Sequence, residues 1–233
     1  ITTLSARVIG LVLMMAQTAI IARWLGPEGK GMFTLALLVP GVLGLILDAG
    51  IGTANVYYAG SRRLNIKALS QNSTLFTILA TLVSAGALFT LHIMGWLNVL
   101  VPGISIKLIL IAMVGLPVLI LSGYLSTILQ GLQRIITINL IGLLQSAVKV
   151  ALTALLIIII HLGVLGAILA WVCAAILGTT IIAVMLRREG ASLRPHWEPK
   201  VVHSTLSFGL RGHIGNILQF FNYRLDVFMV NYF

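Results

Sequence analysis

The chain has 233 residues, of which 59% are hydrophobic and 9% are charged, and its mean hydropathy is +1.10. This composition excludes a soluble domain of ordinary type and predicts an all-α polytopic membrane protein. The formal net charge of +10 does not indicate nucleic-acid binding, because the basic residues lie mostly in loops between apolar spans, as the positive-inside rule describes.

The first predicted span runs from about Leu4 to Leu25. It ends at Gly26-Pro27, where a glycine can close a helix and a proline cannot continue it. Arg7 and Gln17 share one face of this span. For Arg7 two interpretations stay open: it binds substrate inside the protein, or it flanks the span and extends to the lipid headgroups.

The second predicted span runs from about Met32 to Ala59 as one helix and carries Asp48 well inside its apolar sequence. Thr34 and Asn55 fall on the same helical side as Asp48. The carboxyl group precedes two glycines, so it either makes local hydrogen bonds where the helix is loosened or couples transport to a cation.

The third and fourth predicted spans, about Asn72 to Gly95 and Leu108 to Leu129, carry fewer functional signals. Hydroxyl residues recur along the third span, and small polar side chains of this kind let membrane helices pack closely. Pro117 predicts a kink in the fourth span. We assign no ligand to the hydroxyls of the third span, and the kink in the fourth is either a bending point or static.

The fifth predicted span, Leu140–Ile160, carries one charged residue, Lys149, near its middle. At ~1.5 Å per residue Lys149 lies roughly 14 to 16 Å from either end, farther than its side chain comfortably reaches to an interface. Asn139 and Gln145 lie on the same polar side. Lys149 either pairs with a buried carboxylate or lines a wet central cavity. We favour the cavity, because intramembrane ionisable residues often line a substrate or ion pathway.

The sixth predicted span, about Val164 to Leu186, contains the single cysteine, Cys173. One cysteine can form neither an internal disulfide nor a cysteine metal cluster. We therefore expect no metal site and no cofactor.

A polar segment rich in proline, glycine and charge follows the sixth span and predicts a boundary between two lobes. We divide the chain into a six-helix lobe at residues 1–186, a cytoplasmic linker at 187–203 and the first helix of a second lobe at 204–233. That last segment holds three charged residues that we single out: Arg211, Arg224 and Asp226. We expect the chain to be truncated, lacking most of the second lobe.

The distribution of basic residues predicts the orientation in the membrane. Eight cations follow spans 2, 4 and 6: Arg62, Arg63, Lys67, Arg134, Arg187, Arg188, Arg194 and Lys200. Three follow spans 1, 3 and 5: Arg23, Lys30 and Lys107. Because cytoplasmic loops carry the excess of Lys and Arg, the N-terminus is predicted to be cytoplasmic.

Three segments carry a family resemblance: Ala22–Gly31, Asp48–Ala54 and Tyr223–Val227. They resemble the oligosaccharide flippases (Wzx-like, polysaccharide biosynthesis proteins) of the multidrug/oligosaccharidyl-lipid/polysaccharide exporter superfamily. The resemblance implies two six-helix lobes in a MATE-like V in the cytoplasmic (plasma) membrane. It also implies movement of undecaprenyl-diphosphate-linked oligosaccharides from the cytoplasmic to the outer leaflet by alternating access, without catalysis.

The resemblance further implies that Lys149 and Arg224 attract a diphosphate or acidic sugars, since a cation holds an anion more strongly in a low-dielectric cavity than in water. Asp48 and Asp226 are the candidates for coupling transport to H⁺ or Na⁺. The expected partners are the lipid-linked oligosaccharide, membrane lipids and other polysaccharide-assembly proteins. The candidate substrate-binding residues are Lys149, Arg224, Arg211, Arg7, Gln145, Asn139 and Gln17.

Three alternatives remain open. A lipid II flippase also needs a cationic cavity. A drug/cation antiporter of the same superfamily should place acidic residues in the first lobe, where Asp48 is the one intramembrane acid that we predict. A membrane glycan polymerase or ligase needs a large outer loop with acid and base residues, whereas the predicted outer loops are short and nearly bare.

Overall fold

The computed structural model describes residues 3–101 and 103–212. All regular structure in these ranges is helical, which confirms the predicted all-α class. Five helices are long and apolar enough to cross a membrane: α1, α3, α5, α6 with its extension, and α7. The elements are α1 (Thr3–Leu47), α2 (Ile51–Gly60), α3 (Ile66–Ile93), α4 (Trp96–Leu100), α5 (Ile106–Gly131), α6 (Ile135–Ala154), a π-helical extension (Leu155–Ile159), α7 (Gly163–Arg188) and α8, described over residues 199–212.

Helix α1 is broken at Gly26, whose φ of 67° and ψ of −176° are not helical. Glycine adopts this conformation without the steric cost that a Cβ would bring. The break confirms the helix end predicted at Gly26-Pro27. Each arm, residues 3–25 and 27–47, has the ~20 residues that one membrane span needs. Helix α1 therefore has the length of two spans.

The prediction of one continuous helix from Met32 to Ala59 was wrong. Helix α1 ends at Leu47, and α2 begins at Ile51. Between them Ala49 has a φ of 49° and Gly50 a φ of 71°, and two consecutive residues with positive φ cannot continue a right-handed helix. Asp48 therefore lies at a helix break.

Helix α6 packs against both α1 and α7. At its end the backbone widens into a π-helical turn, in which the Ile160 N–H donates to the Leu155 carbonyl (3.1 Å). The side chains of Ile21, from the first arm of α1, and Ile157, from the π-helical turn, pack with Ala167 of α7. This cluster fixes α6 between its two neighbours.

Helix α5 packs tightly against α7 near Gly115. A Cβ on Gly115 would overlap Cζ3 of Trp171, well inside van der Waals contact. The absence of a side chain at this position lets the indole ring lie directly on α5, as small residues do in membrane helix pairs.

We predict that Gly115→Ala lowers the free energy of unfolding by about 1–3 kcal/mol, the cost of overpacking a dense core. Gly123→Ala, on the same helix, is the matched control, because a Cβ there would meet nothing within 4 Å. Thermal unfolding of both variants in detergent measures the difference. Equal unfolding midpoints for Gly115→Ala and Gly123→Ala would mean that the Trp171 ring moves away from the added methyl group at no cost in stability.

Candidate functional site

A polar seam runs along α6, and one edge of it contacts the first arm of α1. Nδ2 of Asn139 donates to Oγ1 of Thr3 (3.4 Å), and Nε2 of Gln17 donates to Oγ1 of Thr153 (3.4 Å). Gln17 and Thr153 are both buried. The structure thus brings the predicted site residues Asn139 and Gln17 to the same helix pair.

The other edge of the seam faces α7. Oε1 of Gln145 lies 2.9 Å from the position that a Cβ would occupy on Gly178, so this amide lies against α7. Thr153, on the first edge, donates through Oγ1 to the backbone carbonyl of Lys149 (2.7 Å).

Lys149 lies between these two edges. It is four residues from Gln145 and four from Thr153, so it is turned about 40° from each around the helix axis. Its side chain is partly exposed. Within residues 3–101 and 103–212 an ion pair joins Arg134 to Glu189 (3.0 Å), and Lys149 is not part of it. The seam is therefore a strip of amides and hydroxyls around one ammonium group.

The other predicted site residues are dispersed. Arg7 is exposed on α1 and Arg211 is exposed on α8, and neither contacts the seam through a hydrogen bond that the structure shows. Asp48 is half-buried at the break between α1 and α2, where its backbone carbonyl accepts a hydrogen bond from Oη of Tyr124 (3.0 Å). Arg224 and Asp226 lie outside the described residues.

A second polar cluster, which the sequence analysis did not identify, holds α8 against the rest of the protein. Nδ2 of the buried Asn72 donates to Oγ1 of the buried Thr205 (3.0 Å). Nearby, Gly50 and Gly209 approach backbone to backbone: a Cβ on Gly209 would lie 2.6 Å from the Gly50 carbonyl oxygen. The break after α1 is therefore part of the docking site for α8.

Aromatic side chains extend this docking site. The rings of Tyr57 and Phe208 stack at 4.5 Å with an interplanar angle of 13°. Oη of Tyr57 accepts a hydrogen bond from Nη1 of Arg63 (2.9 Å), whose guanidinium also lies 5.7 Å from the Tyr57 ring centroid. Stacking of this kind adds to apolar burial.

Asn55 joins α2 to its neighbours from within the core. Its side chain has no exposed area, and its Nδ2 donates to Oγ of Ser73 (2.9 Å) and to the carbonyl of Tyr124 (3.3 Å). One sequence signal pointed to this network, since Asn55 shares a predicted face with Asp48. A periodic pattern within one helix does not show which residues of other helices accept its hydrogen bonds.

We predict that Thr205→Val weakens the docking of α8 and lowers the free energy of unfolding by about 1–3 kcal/mol, because the buried amide of Asn72 loses its acceptor. Thr180→Val is the matched control. Its hydroxyl makes the same backbone hydrogen bond four residues back (2.8 Å) on an exposed surface. Thermal unfolding of both variants measures the loss of stability. Equal losses in Thr205→Val and Thr180→Val would mean that replacing a threonine hydroxyl by a methyl group is sufficient to explain the effect, without the bond to Asn72.

The model of a family described as polysaccharide biosynthesis protein matches residues 1–233. The chain belongs to the polysaccharide biosynthesis protein family. This confirms the family resemblance proposed from the three sequence segments. No curated protein matches the chain.

The chain shares its fold with solved transporters. A MATE protein in complex with MaD3S is 20% identical, with a TM-score of 0.65 over 93% of this chain and 52% of that one. A multidrug resistance MATE transporter of the MOP superfamily, in an outward-facing conformation, is 18% identical, with a TM-score of 0.60 over 91% and 52%.

A MOP superfamily transporter from Pyrococcus furiosus, described as having a binding pocket of reverse polarity, is 20% identical, with a TM-score of 0.62 over 91% of this chain and 52% of that one. The chain thus spans about half the length of the solved structures that it matches. Their likeness establishes a MATE-like fold for this integral membrane protein.

Proposed function

We propose that this protein is a flippase that moves an undecaprenyl-diphosphate-linked oligosaccharide from the cytoplasmic to the outer leaflet by alternating access. The observation that carries the proposal is the polar seam on α6, with Lys149 between Gln145 and Thr153. A member of the polysaccharide biosynthesis protein family needs a path for a polar, anionic headgroup across an apolar membrane.

The chemistry of the seam fits such a headgroup. A lysine at mid-depth in the membrane is costly unless it meets an anion, water or protein partner. A diphosphate supplies the anion, and charge-assisted hydrogen bonds are the stronger ones in a low-dielectric site. Amides such as Gln17 and Asn139 offer donors and acceptors for sugar hydroxyls. We assign Arg7, Arg211 and Arg224 to the same anionic substrate along its path.

The orientation follows from the basic loops. Arg62 and Arg63 follow α2, Arg134 follows α5, and Arg187 and Arg188 end α7. We place these loops in the cytoplasm together with the N-terminus, in agreement with the positive-inside rule. The helix break at Gly26 and the segment between α3 and α5 then lie at the outer surface.

A cation gradient is proposed to drive the cycle, with Asp48 and Asp226 as the coupling carboxylates. Asp48 lies half-buried at a helix break, where a change of protonation or of bound Na⁺ can shift the packing of α2.

We predict that Asp48→Asn makes the transport rate insensitive to an imposed H⁺ or Na⁺ gradient while leaving gradient-free exchange of substrate intact. The amide keeps the size of the side chain and removes its negative charge. Vesicles with each gradient imposed separately measure this. Wild-type transport that ignores both gradients, or a variant that still responds, would remove the coupling role.

The alternative function is a drug/cation antiporter of the same fold, which would require a seam that attracts cations. A cationic drug is repelled by Lys149, whereas an anionic lipid headgroup is attracted. The experiment is a direct comparison in proteoliposomes containing the full-length protein. One arm follows the exposure of a fluorescent lipid-linked oligosaccharide to an external quencher, and the other follows efflux of a cationic dye. We expect flipping without dye transport, and dye transport without flipping would overturn the proposal.

A further inference from the structure

An apolar groove lies between α3 and α5, and none of its lining residues belongs to the polar seam. Its volume is about 790 Å³. The floor includes the buried Leu88, which packs with Leu97 of α4 and with Ile109. The walls include Phe89 and Val114, whose side chains are 66% and 62% exposed. The groove is therefore closed behind and open sideways to the membrane.

The length of the groove corresponds to one leaflet. It extends from Thr81 to His92 on α3 and from Pro117 to Ile106 on α5. Eleven residues separate the two members of each pair, and eleven helical residues rise about 16 Å. Half of a hydrocarbon core of ~30 Å is about the same length. The groove thus reaches from the helix ends to the middle of the membrane.

Polar groups are concentrated at one end of the groove. At mid-depth, Oγ1 of Thr81 donates to the Thr77 carbonyl (2.7 Å), so this hydroxyl is satisfied within its own helix. At the helix ends, His92 is exposed and lines the groove. Lys107 is exposed on α5 and precedes the groove residues Leu110 and Val114 by three and seven positions, on the same helix face.

We propose that this groove binds one anionic phospholipid of the outer leaflet, with an acyl chain along the groove and the phosphate at His92 and Lys107. The apolar length fits a chain that ends at mid-membrane, and the positive charge at the headgroup end attracts an anionic lipid. An undecaprenyl chain is longer than one leaflet, so it fits the groove less well. The leaflet follows from the orientation proposed above.

Native mass spectrometry of the full-length protein tests the proposal. The protein is reconstituted with phosphatidylglycerol and phosphatidylcholine and then delipidated stepwise. Ala85→Trp places an indole in the groove, because Ala85 lines it. Val83→Trp is the matched control: Val83 is 56% exposed and points to another side of α3. We expect one phosphatidylglycerol to stay bound to the wild type and to Val83→Trp and to be lost from Ala85→Trp.

Lys107→Glu gives a second readout that does not depend on filling the groove. We expect it to lower the retention of phosphatidylglycerol relative to phosphatidylcholine by at least about fivefold, because the loss of one membrane-proximal cation alone accounts for that factor and the new carboxylate adds repulsion. Equal retention in the wild type and Lys107→Glu, or equal retention in Ala85→Trp and Val83→Trp, would overturn the proposal. Preferential retention of a polyprenyl phosphate added in competition would overturn it as well.

Discussion

Lys149→Met is expected to lower the initial rate of glycan-lipid flipping by about 10- to 100-fold while the protein still inserts and folds. A hydrogen bond to a charged group contributes about 1.5–3 kcal/mol, and 1.4 kcal/mol corresponds to a tenfold change. Methionine keeps the length and most of the volume of lysine but has no charge. The variant therefore removes the attraction for a diphosphate without opening a cavity between α6 and its neighbours.

Two further variants separate charge from position. Lys149→Arg keeps the positive charge at the same depth and is expected to retain a measurable part of the rate. Lys30→Met removes an exposed lysine after the break in α1 and is expected to flip substrate at the wild-type rate. Export of surface polysaccharide in a complementation strain and flipping in proteoliposomes give two independent readouts. Normal export by Lys149→Met would remove this residue from the substrate path.

Gly209→Ala is expected to separate α8 from the break between α1 and α2 and to lower the free energy of unfolding by about 2–4 kcal/mol. A Cβ on Gly209 would lie 2.6 Å from the carbonyl oxygen of Gly50 and 2.8 Å from that of Ala49. Both obstacles are backbone atoms, which cannot rotate away as a side chain can. Substitutions that force backbone shifts in a packed core lie at the high end of single-residue effects.

The control for this prediction is on the same helix. Gly212→Ala adds the same methyl group where nothing lies within 4 Å, so it is expected to leave stability unchanged or slightly higher. Thermal unfolding and limited proteolysis at the 189–198 segment compare the two variants. If Gly209→Ala unfolds at the same temperature as Gly212→Ala, the backbone contact between Gly50 and Gly209 is not a determinant of the fold.

The parts of the fold that depend on local chemistry were predictable from the sequence. The break at Gly26 follows from a glycine before a proline. The polar side of α6 follows from the spacing of Asn139, Gln145 and Lys149, because side chains three and four residues apart share a face. Hydropathy alone was sufficient to predict long membrane helices.

The parts that depend on distant contacts were not predictable. The break at Asp48 to Gly50 falls where Gly209 contacts the backbone, more than 150 positions later in the sequence. The bond from Asn72 to Thr205 likewise joins residues 133 positions apart. No periodic pattern carries such information. The π-helical turn after α6 lies in a run of leucine and isoleucine, which looks the same in an α-helix and a π-helix.

The proposed function requires the amine of Lys149 to meet water in a cavity at mid-depth in the membrane. Cysteine accessibility tests it most directly, in a Cys173→Ser background. Lys149→Cys is compared with Leu144→Cys, because Leu144 is 47% exposed on the apolar side of α6. Water-soluble, positively charged methanethiosulfonate is the probe. We expect rapid labelling of Lys149→Cys and none of Leu144→Cys. Lack of labelling at position 149 under conditions that label a loop cysteine would contradict the cavity.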